Sequence, residues 1–264
     1  MMCIGLNYSN SRINNLNYQN IVMKESLLSS IELVHSNILK EVSIALENSE
    51  TEEEFKNYFL GNIFVNNINI EEQSPKDLAK VMAVLPQSPQ APSGLTVEEL
   101  IAYGRFPHQK GFGKMKKEDE DIVTWALKST GIEEFRERPM EALSGGQRQR
   151  AWIAMALAQQ TEILILDEPT TYLDLAHQLE ILKLLEELNR KQGTTIVMVI
   201  HELNNAARFA DHMIGVKKGK VVCQGTAHEV MTKENLKELF NIDAEIVEDP
   251  RNNKPVCITY DMLV

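Results

Sequence analysis

Cysteine is scarce and scattered. Cys3, Cys223 and Cys257 lie far apart with no C-x-x-C pair among them, so neither a disulfide framework nor a zinc site is indicated, and a reducing cytosol fits best. An excess of positive charge is also missing. The formal net charge of -11 argues against a general nucleic-acid binder, which needs a basic face to displace counterions from phosphate, although a local basic patch is still compatible with it. No uninterrupted apolar stretch approaches the ~20 residues that cross a bilayer, and the N-terminus lacks a basic region followed by an apolar one. Membrane association is therefore expected to run through a partner. Residues 1–60 hold no proline and a single glycine, Gly5, against nine asparagines, and the composition changes near Gly61.

What is present is ordinary in bulk: 43% hydrophobic and 25% charged residues, the balance of a soluble globular protein of one large α/β core, or one core with an inserted subdomain. Leu27, Leu28, Ile31, Val34, Ile38, Leu39, Val42 and Leu46 recur at three- and four-residue steps and predict an amphipathic helix over roughly Lys24 to Glu47. An acidic stretch, Glu50 to Glu54, reads as a solvated linker or the start of a second helix. From Gly61 the pattern predicts a short hairpin, Ile63 to Val65 and Ile68 to Ile70, then a strand at Val81 to Leu85 and a helical stretch over 97–160. Beyond it, β runs alternate with helices: Ile163 to Asp167, a helix from Leu175 to Lys191, Thr195 to Ile200, and a helix from Leu203. That alternation implies a parallel sheet. The tail returns to β hairpins, with turns at Lys218-Gly219 and Arg251 to Lys254.

Chemistry concentrates in four places. Ile163-Leu164-Ile165-Leu166-Asp167-Glu168-Pro169 is an apolar strand that delivers two adjacent carboxylates at its C-terminal end, where ligands bind in α/β sheets. In phosphoryl transfer one such carboxylate holds Mg²⁺, usually through water, and the next orients the attacking water, so Asp167 and Glu168 suit those roles. Taken alone, the pair reads equally well as a solvated strand end. Leu143-Ser144-Gly145-Gly146-Gln147 opens a helix whose free amides and serine hydroxyl make a phosphate site, or else a plain serine cap with a glycine turn. Asp174, seven residues past Asp167, His201 at the end of the next strand, and Gln87 after the strand ending at Leu85 complete the set.

In this order and spacing the chain resembles ABC ATPases over about residues 61 to 264, with L-S-G-G-Q as the signature, I-L-I-L-D-E-P as Walker B, Asp174 in the D-loop, His201 as the switch histidine and Gln87 in the Q-loop. Pro86-Gln87, the segment from Leu95 through Ala102-Tyr103-Gly104-Arg105-Phe106-Pro107-His108, and the signature helix are most similar to ferric-siderophore importer subunits, with cobalamin and haem importer ATPases as alternatives. The resemblance implies an α/β fold: a RecA-like P-loop NTPase core with an inserted helical subdomain at about 95–160. A non-matching helical segment, residues 1–60, would precede an incomplete cassette of residues 61–264. ATP and Mg²⁺ are the implied cofactors. Glu168 and His201 would be catalytic; Gln87, Ser144, Gly145, Gly146, Gln147, Asp167 and Asp174 would bind nucleotide; Asp167 and Gln87 would hold Mg²⁺, partly through water. The implied partners are a second ABC ATPase subunit, a copy of this chain or an intact paralogue, in a head-to-tail dimer, and a transmembrane permease docked near Gln87. These place the protein in the cytoplasm at the inner face of the cell membrane.

One part of the family pattern is missing. A cassette carries G-x-x-x-x-G-K-[ST] upstream of the Q-loop to grip the β- and γ-phosphates, and the 264 residues contain no such string. The glycines before Gly94 are Gly5 and Gly61, and Gly113-Lys114 and Gly219-Lys220 lack both the second glycine and the following hydroxyl. The strand that feeds this loop has no recognisable counterpart in residues 1–60, and its loss is expected to expose sheet edges that the amphipathic helix could cover. Since one oxyanion donor is worth ~3 kcal/mol, losing the whole cradle predicts impaired ATPase activity. A lesser departure is Glu202, where the subfamily more often has Asp. Three readings follow: an impaired siderophore-importer ATPase or remnant of one; a subunit whose signature and D-loop act in trans on an intact partner; or an N-terminal helical module carried on a cassette scaffold.

Overall fold

The computed structural model describes residues 2–7, 64–66, 68–87, 89–109, 115–171 and 173–263. The helix expected over Lys24 to Glu47 and the acidic stretch after it lie outside them. Two compact units are separable: Met1–Ser11 together with Ala79–Val264, and Arg12–Leu78. In the second, β2 (Phe64–Val65) pairs antiparallel with β3 (Ile68–Asn69), as the Asn66-Asn67 turn predicts.

Among the described residues, the first unit is built on a six-stranded sheet. Its parallel part is β4 (Met82–Leu85), β5 (Ile163–Asp167) and β6 (Thr195–Ile200), in adjacent positions. β5 and β6 are buried along nearly their whole lengths, Ile163 and Thr195 at their starts being half-buried, which explains their unbroken apolar sequences: a strand buried on both faces has no alternating polar positions. The expected strand at Val81 begins one residue later, because Val81 closes helix α1 (Pro75–Val81).

β1 (Met2–Asn7) overturns one expectation. Among the described residues β6 and β7 are not left as open edges: β1 runs antiparallel between β6 and β7 (His212–Lys217), paired to both, and β8 (Lys220–Gly225) completes the order β4-β5-β6-β1-β7-β8. Cys3 stands opposite Ile200 and Asn7 opposite Ile196. The ladder bonds of β6 and β7 are thus satisfied by backbone pairing, which asks little of the strand's sequence.

Between β4 and β5 the chain forms the helical region expected over 97–160. It holds α2 (Val97–Tyr103), α3 (Lys117–Ser129) and α4 (Gly145–Ala158), separated by short 3₁₀ turns. Thr96 and Glu99 form a capping box at the start of α2, the reciprocal pairing that satisfies orphan N–H groups there. α4 buries Ala151, Ile153, Ala154, Ala156, Leu157 and Ala158, and its small residues let α2 approach closely. The same junction buries a charge. The Arg105 guanidinium bonds Asp119 at 2.8 Å and the Ala158 carbonyl at 2.7 Å, with both side chains of the ion pair at 10% exposure or less. Asp119→Ala leaves that cation with carbonyl and amide acceptors alone, and is expected to lower stability by about 2 kcal/mol in urea unfolding. The double replacement Arg105→Met with Asp119→Leu is expected to lose less than the single one, because no buried charge is stranded.

Helix α5 (Leu175–Gln192) connects β5 to β6, and α6 (Leu203–Phe209) follows β6. The tail contains α7 (Ala227–Val230), α8 (Lys233–Phe240) and the antiparallel pair β9 (Ile242–Asp249) and β10 (Lys254–Met262). The Asn204 side-chain amide donates to the Cys257 carbonyl and accepts from its N–H, both at 2.9 Å, which ties α6 to β10. Arg251 holds the Asp249 carboxyl down at about 2 in the turn between these strands.

Candidate functional site

The parallel strands end together, and three of the expected residues meet there. Leu85 pairs with Leu166 and Asp167 with Val199, so the segments after β4, β5 and β6 leave from one edge of the sheet. Glu168 is the hub. Its Oε2 accepts from the Gln87 side-chain amide and, at 2.8 Å, from the Thr171 hydroxyl, while His201 Nε2 donates to Oε1. Burial by itself raises the Glu168 carboxyl. The His201 and Thr171 hydrogen bonds, the His201 charge and the Gln87 amide outweigh it and hold the group below the ordinary carboxylate range. A carboxylate kept ionised beside a histidine can orient and polarise a water for attack on phosphorus.

Glu168 also has φ of 47°, in the left-handed region that residues before proline rarely occupy, and Pro169 follows it. Such strain costs on the order of 1 kcal/mol and is retained where geometry matters more than stability. Asp167 is buried beside it at the end of β5. Asp167 and Gln87 supply hard oxygen donors of the kind Mg²⁺ accepts, and Mg²⁺ normally completes its shell with water and substrate phosphate. Among the described residues no cluster of three or more His, Cys, Asp or Glu would hold a metal alone.

The other expected residues form a second constellation at two helix N-termini. Ser144 caps α4: its hydroxyl accepts from the Gln147 N–H at 3.3 Å and the Gln147 side chain accepts from the Ser144 N–H at 3.0 Å. Ser144 and Gly145 are exposed, and a Cβ on Gly145 would meet nothing within 4 Å, so a ligand can approach the backbone there. Asp174 caps α5 by accepting from the His177 N–H at 2.9 Å. Two residues escape the sequence reading: Thr171, on Glu168, and His177, on both Asp174 and Gly146. Each lies three residues after its carboxylate partner, a spacing too common to single out.

The family model for ABC transporters matches residues 53–171, a span that takes in Gln87, the signature and the Asp167-Glu168 pair. The iron(3+)-hydroxamate import ATP-binding protein FhuC of Bacillus subtilis is 66% identical over 203 residues, 77% of this chain and 76% of that protein. This chain belongs to the ATP-binding subunits of ABC transporters. The achromobactin transport ATP-binding protein CbrD of Dickeya dadantii is 49% identical over 76% of this chain and 74% of its own length. The ferric enterobactin transport ATP-binding protein FepC of Escherichia coli is 43% identical over 75% and 73%. Among solved structures, an inward-facing metal-chelate type ABC transporter matches with a TM-score of 0.62 at 29% identity, over 67% of this chain and 72% of that one. The RecA-like cassette fold and the resemblance to siderophore importer subunits are therefore as the motifs imply. As an ABC subunit the chain has, among the described residues, no helix long and apolar enough to cross a membrane.

Proposed function

We propose that this chain is the ATP-binding subunit of a ferric-siderophore ABC importer whose own nucleotide site is incomplete. The direction of β1 supports this most. Because β1 is antiparallel to β6, Asn7 lies opposite Ile196 and the chain leaves the strand at the edge away from Glu168. A parallel strand in that position would deliver the following loop to the catalytic edge. The segment after Asn7 therefore starts on the wrong side of the sheet to wrap a phosphate beside Asp167, and the sequence supplies no phosphate-gripping motif to do so. The relatives named for hydroxamate, achromobactin and enterobactin transport support a siderophore as the solute. Residues 61–264 are the incomplete cassette, and residues 1–60 precede it as a segment that carries none of the cassette's nucleotide motifs.

A second reading is favoured by the exposed Ser144 and the open space over Gly145. The signature and D-loop remain presented, so the chain completes the ATP site of an intact cassette subunit beneath a shared permease at the inner face of the membrane. Glu168 and His201, with Gln87 and Asp167, would then form a half-site without its phosphate grip, while Ser144, Gly145, Gly146, Gln147 and Asp174 serve the partner's nucleotide.

Co-expression with an intact relative and its permease tests this. The mixed complex is expected to co-purify and to turn over ATP at about half the rate of the intact pair, since one of two symmetric sites is lost. Gly145→Asp in this chain, which puts a carboxylate against the γ-phosphate, should abolish most of that remainder. Failure to co-purify would overturn the second reading and leave only an impaired subunit.

A further inference from the structure

We propose that His177 is a positioning residue that locks the signature end of α4 to the cap of α5, so that Gly146 and Asp174 are presented as one rigid face. The functional consequence rests on the reading in trans above; the coupling itself is a property of the single chain.

The imidazole packs on Gly146. A Cβ added at that glycine would come within 3.1 Å of Cδ2, 3.5 Å of Cγ and 3.7 Å of Nε2, so a larger residue would push the ring away. On its other side Nδ1 lies 2.8 Å from Asp174 Oδ2, and the His177 backbone N–H donates to Oδ1. Since a carboxylate only accepts, Nδ1 carries the proton. One side chain therefore sets its ring carbon against a glycine on one helix and gives a donor to the cap of the next. The Asp174 carboxyl is held below its ordinary range, first by the His177 N–H and then by the His177 ring.

A second rung lies one turn further along both helices. Arg150 of α4 pairs with Glu180 of α5, and its guanidinium also donates to the Thr130 carbonyl at 3.0 Å. From Gly146 to Arg150 is four residues and from His177 to Glu180 three, the spacings that keep side chains on one helical stripe. The two helices are thus held in register from their N-termini, where the signature and D-loop begin. The His177 ring is 48% exposed, so this contact adds little to the core and its value lies in geometry.

Amide hydrogen exchange on the full chain tests the coupling. The Gln147 N–H is held by the Ser144 hydroxyl and the Arg148 N–H by the Ser144 carbonyl, both on α4. His177→Ala, a change on α5, is expected to speed exchange of these two amides about tenfold while the thermal midpoint stays close to native. His177→Asn keeps a donor at the δ position and should hold exchange within about threefold of native. A role confined to capping α5 would alter residues 174 to 178 alone. Unchanged exchange at Gln147 and Arg148 in the alanine variant would overturn the proposal, as would an asparagine variant as fast as the alanine one. A mixed complex that never forms would refute the reading in trans and leave this exchange result to decide the role of His177.

Discussion

Titrated with MgATP in a calorimeter, the purified chain is expected to show no binding tighter than about 1 mM, where micromolar affinity would correspond to about 8 kcal/mol. The difference is what a phosphate cradle supplies. Backbone amides and a lysine around the β- and γ-phosphates provide charge-assisted hydrogen bonds that no described residue near Glu168 replaces: Gln87, Thr171 and His201 are already engaged by the Glu168 carboxylate. A Glu168→Gln variant belongs alongside, because it suppresses hydrolysis and would trap any nucleotide that does bind. Micromolar binding by either protein would mean that residues 1–60 provide a phosphate site, and the incomplete-site reading would fall. Absence of binding leaves the chain's signature face as its remaining route to nucleotide.

Gly104→Ala is expected to cost about 3 kcal/mol, read as a lower urea midpoint and a lower thermal midpoint. The added methyl would stand 2.2 Å from the Met155 carbonyl oxygen, 3.1 Å from the Ala158 Cβ and 3.2 Å from the Gln159 nitrogen. Two of these atoms are backbone inside or at the end of α4, so no rotamer change relieves the clash and α2 must retreat from α4. Gly104 has φ of -58°, so alanine is welcome there on conformational grounds and would gain roughly 0.5–1 kcal/mol from propensity. The steric term exceeds that gain several-fold. Gly145→Ala provides the contrast: its methyl meets nothing within 4 Å, and stability should stay within about 0.5 kcal/mol of native. Equal effects at the two positions would mean that α2 and α4 do not pack at this distance.

Much of the fold was legible because it rests on short-range pattern. The unbroken apolar runs at Ile163 to Asp167 and Thr195 to Ile200 need two covered faces, and both became central parallel strands. Ser144 and Asp174 are side chains that cap helices wherever a helix follows, and they do so here. Glu168 was legible as a carboxylate at a strand end, and the family comparisons place it in the ABC transporter match.

Other features depend on residues distant in the chain and leave no local mark. In Met2–Asn7 the apolar Met2, Ile4 and Leu6 alternate with Cys3, Gly5 and Asn7, but six residues are too few to name a strand in an asparagine-rich segment; their partners are β6 and β7, some two hundred residues later. Gly104 falls inside the stretch expected to be helical over 97–160, and nothing local marks its close approach to the Met155 carbonyl across the helix pair. His177 and Thr171 look like ordinary polar residues until folding sets one on Gly146 and the other on Glu168. The sequence alone determined the family, the parallel core and the chemistry of each end, because propensity, capping and hydrophobic period act over a few residues. Tertiary structure decided which strand fills the sheet, in which direction, and which side chains meet at its edge, because those contacts are made only when distant segments pack.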